Sequence, residues 1–157
     1  MPKTKMKPEI YFLRYAFPCS HVLCKIRKEI SEEEYKKIER AAIKGIILDR
    51  KYLEKVFFRA FERIEKIAAE LKTSKWDINV LREYFVERHN AFVNSSVNPE
   101  KFKELCRVHK AKIIEVKENP LTVKYNNKKR EVKKVYVPDA EKNDIVTIHY
   151  NYAVEKV

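Results

Sequence analysis

The hydrophobic pattern of this 157-residue chain changes its period near Cys106. Before that residue, apolar side chains recur at steps of three and four, which is typical of amphipathic helices. From Val108 onward they alternate with polar side chains, which is typical of half-buried β-strands. The pattern therefore predicts an α+β protein, with a helical domain over residues 8–105 and a β-domain over residues 106–157.

Local signals predict several of the helix ends. Ser31, followed three residues later by Glu34, has the spacing of a capping box, and Asp77 precedes another apolar-periodic run as an N-cap. Asn98 is predicted to cap a short helix that contains Pro99 in its first turn. Pro18 is predicted to end the first helix, because proline removes a backbone donor and crowds the preceding turn.

The strand region predicts a small antiparallel barrel. Asn126 and Asn127 separate two alternating runs, and asparagine tolerates the positive φ values that a tight hairpin turn needs. A polar loop over residues 138–144 precedes one or two final strands. Several short strands within about fifty residues favour a small barrel of the oligonucleotide-binding (OB) type.

Composition narrows the classes of function. Gly45 is the single glycine, which excludes the glycine-rich phosphate loops of P-loop and Rossmann proteins. The cysteines are odd in number, and no apolar run suits a secretion signal or a membrane span. We therefore expect a reduced, cytoplasmic protein, and the abundance of Lys, Glu and Ile resembles a thermophile's composition. The net charge of +12 favours acidic partners, although a basic, solvated surface explains it equally well.

The last third of the chain resembles the HypC/HupF family of hydrogenase maturation factors. The stretch "LCRVHKAKIIEV" matches the opening Cys and first strand of that family, and "IHYNYAVEKV" matches its closing element. Lys110 and Ala111 stand where the family has Pro-Gly, and Asn151 stands where it has a glycine. The resemblance implies a HypC-like barrel and a non-enzymatic chaperone or scaffold that works with a maturation or metalloenzyme complex.

By the same resemblance, Cys106 and His149 form the pair that holds iron before it receives its diatomic ligands. A thiolate and an imidazole are good ligands for iron or zinc, and His109 offers a third ligand three residues after Cys106. The cations nearby, Arg107, Lys110 and Lys112, favour the thiolate. The alternative is a structural cysteine with two surface histidines.

Two other groups of residues carry weaker signals. Cys19, His21 and Cys24 offer three ligands within six residues, but a closed zinc site needs four and pairs two such motifs. His89, beside Asn90, lies on an amphipathic helix, where a histidine is usually a hydrogen-bonded boundary residue. Neither group completes a catalytic constellation, so an enzyme is the least favoured class.

A basic hairpin supports the alternative function. Its cations alternate with tyrosines and suggest a nucleic-acid groove, whereas lysines on strands also prevent edge-to-edge aggregation. The predicted contacts to RNA or DNA are Lys124, Lys128, Lys129, Arg130, Lys133 and Lys134.

Overall fold

The computed structural model describes residues 6–157 and divides into two compact units, the first ending at Tyr84 and the second spanning Phe85–Val157. Helices precede a five-stranded antiparallel sheet, which confirms the α+β class. Helix changes to strand between Cys106 and His109, so the second unit contains helices as well as the sheet. Among the described residues, no helix has both the length and the apolar character needed to cross a membrane.

The first unit is built from helices around an aromatic core. The helices are α1 (Pro8–His21), a π-helical turn (Val22–Ile26), α2 (Glu32–Lys44), α3 (Arg50–Val56), α4 (Phe58–Leu71) and α5 (Ile78–Arg82). Phe12 is fully buried, and its ring contacts those of Phe57, Phe61 and Trp76. These residues come from α1, from α4 and its start, and from the loop before α5, so the aromatic cluster joins these segments into one core.

The predicted helix ends are correct at two positions and wrong at two. The Ser31–Glu34 capping box is present, and the Asp77 side chain accepts a hydrogen bond from the Asn79 N–H. Pro18, however, lies inside α1, and the chain becomes π-helical only after His21. One proline removes a single intrahelical bond, and the packing of a buried helix outweighs that loss. The short helix after Asn98 begins at Glu100 without a side-chain cap.

The second unit packs two short helices with the sheet. A π-helical segment (Glu83–Arg88) leads into it, followed by α6 (His89–Asn94) and α7 (Glu100–Cys106). The strands are β1 (His109–Val116), β2 (Leu121–Tyr125), β3 (Lys128–Val132), β4 (Ile145–His149) and β5 (Tyr152–Lys156), in the order β3-β2-β1-β4-β5. The β2–β3 turn confirms the hairpin prediction, because Asn126 and Asn127 have φ values of 47° and 61°.

The predicted barrel is not closed. Strands β3 and β5 form the two edges of the sheet, and a single bridge between Lys133 and Tyr152 links them. The Lys133 N–H donates to the Asn151 carbonyl, and the Ala153 N–H donates to the Lys133 carbonyl. Directly afterwards the Val137 N–H bonds to the Lys134 carbonyl, which turns the chain away from the edge. A closing ladder needs an extended segment there, and this turn prevents one.

Candidate functional site

The end of α7 and the end of β4 bring Cys106 and His149 together within the second unit. The Tyr150 N–H donates to the Leu105 carbonyl at 2.9 Å, which ties the turn after β4 to the last turn of α7. The Cys106 Sγ and a ring nitrogen of His149 lie within 4.8 Å of each other. The residues named by the family resemblance are therefore neighbours, and their binding of a metal stays a prediction.

The two side chains differ in exposure. His149 is fully buried, whereas Cys106 is half-buried. The His149 ring packs edge-on against Tyr150, with a centroid distance of 4.8 Å. The thiol is therefore the more accessible of the two donor groups.

His89 contacts the histidine of this pair. It is the first residue of α6, it is buried, and its ring contacts the His149 ring edge-on at a centroid distance of 5.4 Å. The next residue, Asn90, anchors α6 to the start of β1. Its side-chain amide donates to the Val108 carbonyl and its oxygen accepts from the Val108 N–H, each at 2.8 Å. Sequence reasoning singled out His89 but did not assign it to this site, because the contact is not local.

His109 lies on the opposite face of the sheet from His149. In the β1–β4 register His109 pairs with Ile148, so the following residue, His149, points to the other face. The His109 ring stacks on Tyr125 with centroids 4.5 Å apart, on the face that carries the sheet core. The structure thus does not bring the predicted third ligand to the Cys106–His149 pair. The sequence contained a signal for this placement. His109 is two residues before Ala111 and four before Ile113, so it shares their face of the strand, and both of those residues are buried in the core.

Glu104 is the centre of a charged cluster near this junction. Its carboxylate lies 2.9 Å from Arg107, 3.2 Å from His109 Nε2 and 3.6 Å from Lys128. Burial alone would raise the pKa of Glu104, but the surrounding cations outweigh burial and hold that pKa below its ordinary value.

The neighbouring imidazole of His109 has a pKa below its ordinary value. Burial lowers the pKa of His109, the Glu104 carboxylate opposes that effect, and the Arg130 guanidinium reinforces it. Among the charged neighbours of Glu104, His109 lowers its pKa most, followed by Lys128 and Arg107.

Two of the three cations near Cys106, Arg107 and Lys110, have acidic partners. Arg107 pairs with Glu100 at 2.7 Å and with Glu104, and Lys110 lies 3.9 Å from Glu87. The paired carboxylates offset part of the positive field that the sequence predicts around the thiol.

Arg130, predicted as a nucleic-acid contact, joins three segments of the second unit as a structural clamp. Its side chain is only 12% exposed. The guanidinium donates to the Tyr150 carbonyl at 3.0 Å, to the Glu104 carbonyl at 3.3 Å and to the Tyr125 hydroxyl at 2.6 Å. It therefore links β3 to the same two segments, the end of α7 and the β4–β5 turn, that present Cys106 and His149.

Of the other predicted basic contacts, three have a partner within the protein and two are exposed. Lys128 faces Glu104, Lys133 lies over the Tyr152 ring, and the Lys134 ammonium donates to the Lys117 carbonyl. Lys124 and Lys129, in contrast, are exposed and directly opposite each other. Lys112 of β1 is opposite Lys124 and exposed too. These three side chains form a lysine row across three adjacent strands, and sequence reasoning missed Lys112 as its third member.

The motif of Cys19, His21 and Cys24 lies in the first unit. Cys24 is buried in the π-helical turn, Cys19 is half-buried near the end of α1, and His21 is exposed with its ring against Tyr35. Within residues 6–157, the ligand atoms of these three side chains do not all lie within 4.8 Å of one another.

No protein-family model matches the chain, and no curated protein matches it. The resemblance to the HypC/HupF family therefore stays a prediction based on the strand-region sequence.

Proposed function

We propose that the chain is a non-enzymatic accessory protein that holds a transition-metal ion through Cys106 and His149 for a metalloenzyme partner. The observation that carries the proposal is the approach of the Cys106 sulfur and a His149 nitrogen to within 4.8 Å. Two ligands of one tetrahedral zinc ion, one thiolate and one imidazole, lie roughly 3.5 Å apart, so a small side-chain rotation suffices.

The donor chemistry suits a borderline metal ion. Thiolate sulfur and imidazole nitrogen favour iron and zinc, whereas magnesium and calcium prefer oxygen ligands. Iron is the specific proposal, because the HypC/HupF family handles iron as its cargo. Cys106 would supply the thiolate and His149 the neutral imidazole, while the Leu105–Tyr150 backbone bond keeps their segments together.

The first prediction is that this protein binds one equivalent of Fe²⁺ or Zn²⁺ and that Cys106→Ser weakens binding by roughly 100-fold or more. The loss should exceed the cost of removing a residue that only orients a ligand. Anaerobic equilibrium dialysis with metal analysis measures it. Cys24→Ala is the matched control, since Cys24 is a buried thiol of the first unit. Absence of binding to the unmodified protein, or an equal loss in both variants, would contradict the proposal.

A second candidate function is binding of an RNA strand by the lysine row. Like charges directly opposite each other on neighbouring strands disfavour the sheet, and a bound polyanion would offset that cost. No ion pair of Lys112, Lys124 or Lys129 occurs within residues 6–157. Glu131, on the same face of β3 as Lys129, pairs with Lys117 and limits the row on one side.

The corresponding prediction is a salt-dependent affinity for mixed single-stranded RNA. Each lost phosphate contact should reduce the slope of log K against log salt by about 0.7, so Lys124→Gln with Lys129→Gln should reduce it by roughly 1.4. Fluorescence anisotropy over a salt series measures the slope. Double replacement of the exposed Lys142 and Lys101 by glutamine is the charge-matched control. An equal change in both double variants would indicate general charge attraction and not a site.

A further inference from the structure

We propose that His89 is a third ligand, which completes a thiolate–imidazole–imidazole site for a divalent first-row transition ion with Cys106 and His149. This inference rests on the proposed function and specifies its ligand set. All three residues belong to the second unit, and they come from the start of α6, the end of α7 and the end of β4. The sequence places them 17 and 43 residues apart, so only the fold brings His89 to the pair.

The separation of the two imidazole rings matches that of rings sharing an ion. Two imidazoles bound to one tetrahedral ion at about 2.0–2.1 Å have ring centroids roughly 5 Å apart. The His89 and His149 centroids are 5.4 Å apart, with the ring planes nearly perpendicular. Binding of one ion by both rings would then require a change in ring orientation that directs one nitrogen of each at the ion.

The backbone around His89 restricts its position relative to the pair. Asn90 is held to both polar groups of the Val108 backbone, two residues after Cys106. The Leu105 carbonyl accepts from the Tyr150 N–H, one residue after His149. Hydrogen bonds therefore join the segment of His89 to that of Cys106, and the segment of Cys106 to that of His149. Such bonds hold the backbone of the three ligands in place when the ion is absent.

Burial and donor type define the class of ion. His89 is 6% exposed and His149 is fully buried, so an ion held by both rings would be largely removed from water. One sulfur and two nitrogens favour Fe²⁺, Co²⁺ or Zn²⁺ and disfavour Mg²⁺ and Ca²⁺. In a four-coordinate site these three side chains would fill three positions, and the fourth would be filled by another donor.

Titration of the full chain with Co²⁺, an optical substitute for iron and zinc, tests the inference. His89→Gln should weaken Co²⁺ binding at least about tenfold and change the visible bands that report coordination geometry, while the near-ultraviolet thiolate-to-cobalt band remains. His109→Gln, a histidine replacement on the opposite face of the sheet, should leave affinity and both sets of bands unchanged. Cys106→Ser should abolish the thiolate band.

His89→Cys separates ligation from packing. This variant loses the same ring contacts as His89→Gln but retains a metal-binding side chain, so tighter binding than in the glutamine variant supports ligation. Unchanged binding and spectra in His89→Gln would overturn the inference and leave the Cys106–His149 proposal standing. Equal weakening by His89→Gln and His89→Cys also overturns it. Absence of Co²⁺ binding by the unmodified protein overturns both proposals.

Discussion

Replacing Phe12 by alanine is expected to lower the free energy of unfolding of the first unit by about 3–5 kcal/mol. Phe12 is fully buried, and its ring centroid lies 4.8 Å from that of Phe61, 5.3 Å from Phe57 and 5.8 Å from Trp76. Truncation removes apolar surface and leaves a cavity among rings that come from α4, from the α3–α4 junction and from the loop before α5. Guanidinium unfolding followed by fluorescence measures the loss, because Trp76 is the single tryptophan and lies in this cluster.

Phe58→Ala is the matched control for that experiment. This variant has the same Phe→Ala truncation at an exposed position. Phe58 is 42% exposed, and the Arg59 guanidinium lies over its ring, 4.4 Å from the centroid. The expected loss is below about 1 kcal/mol, since a surface cation–π contact contributes little. Similar losses for the two variants would show that Phe12 does not hold the helices of the first unit together.

Replacing Arg130 by methionine is expected to destabilise the second unit by about 2–4 kcal/mol. The guanidinium donates to two backbone carbonyls and to the Tyr125 hydroxyl, and its charge lies 3.8 Å from the Glu104 carboxylate. Methionine retains much of the apolar stem but leaves the Glu104 and Tyr150 carbonyls without their donor. Denaturant unfolding followed by circular dichroism measures the change, and hydrogen exchange of the β2 and β3 amides locates it.

Lys129→Met tests whether the effect is specific to the buried guanidinium. Lys129 is the preceding residue of the same strand, but it is exposed and faces Lys124 across the sheet. Removing one of two opposed positive charges should leave stability unchanged or raise it slightly. A loss in Lys129→Met as large as that in Arg130→Met would mean that basic charge on β3, and not the clamp, stabilises the unit.

The clamp also bears on how the candidate metal site is held. Arg130 contacts the residue two positions before Cys106 and the residue directly after His149. The hydrogen bond between Leu105 and Tyr150 joins the same two segments. Hydrogen bonds to the neighbouring backbone thus position Cys106 and His149. A site supported in this way is more rigid than a site on a loop.

Local sequence signals determined the order of helices and strands, the capping box at Ser31, the N-cap at Asp77 and the hairpin turn at Asn126–Asn127. Each of these depends on interactions within a few residues: a side chain that bonds a nearby N–H, or a turn that needs positive φ. Such features can be predicted from short stretches because their energetic partners lie within the same stretch.

Tertiary structure decided which residues meet. It placed His89 beside His149, turned Arg130 inward, set Lys112 in line with Lys124 and Lys129, and directed His109 away from the Cys106–His149 pair. It also left the sheet open, because the chain turns away after a single bridge at Lys133. Strand register and helix packing depend on contacts between residues far apart in sequence, and a one-residue change of register moves a side chain to the other face of the sheet.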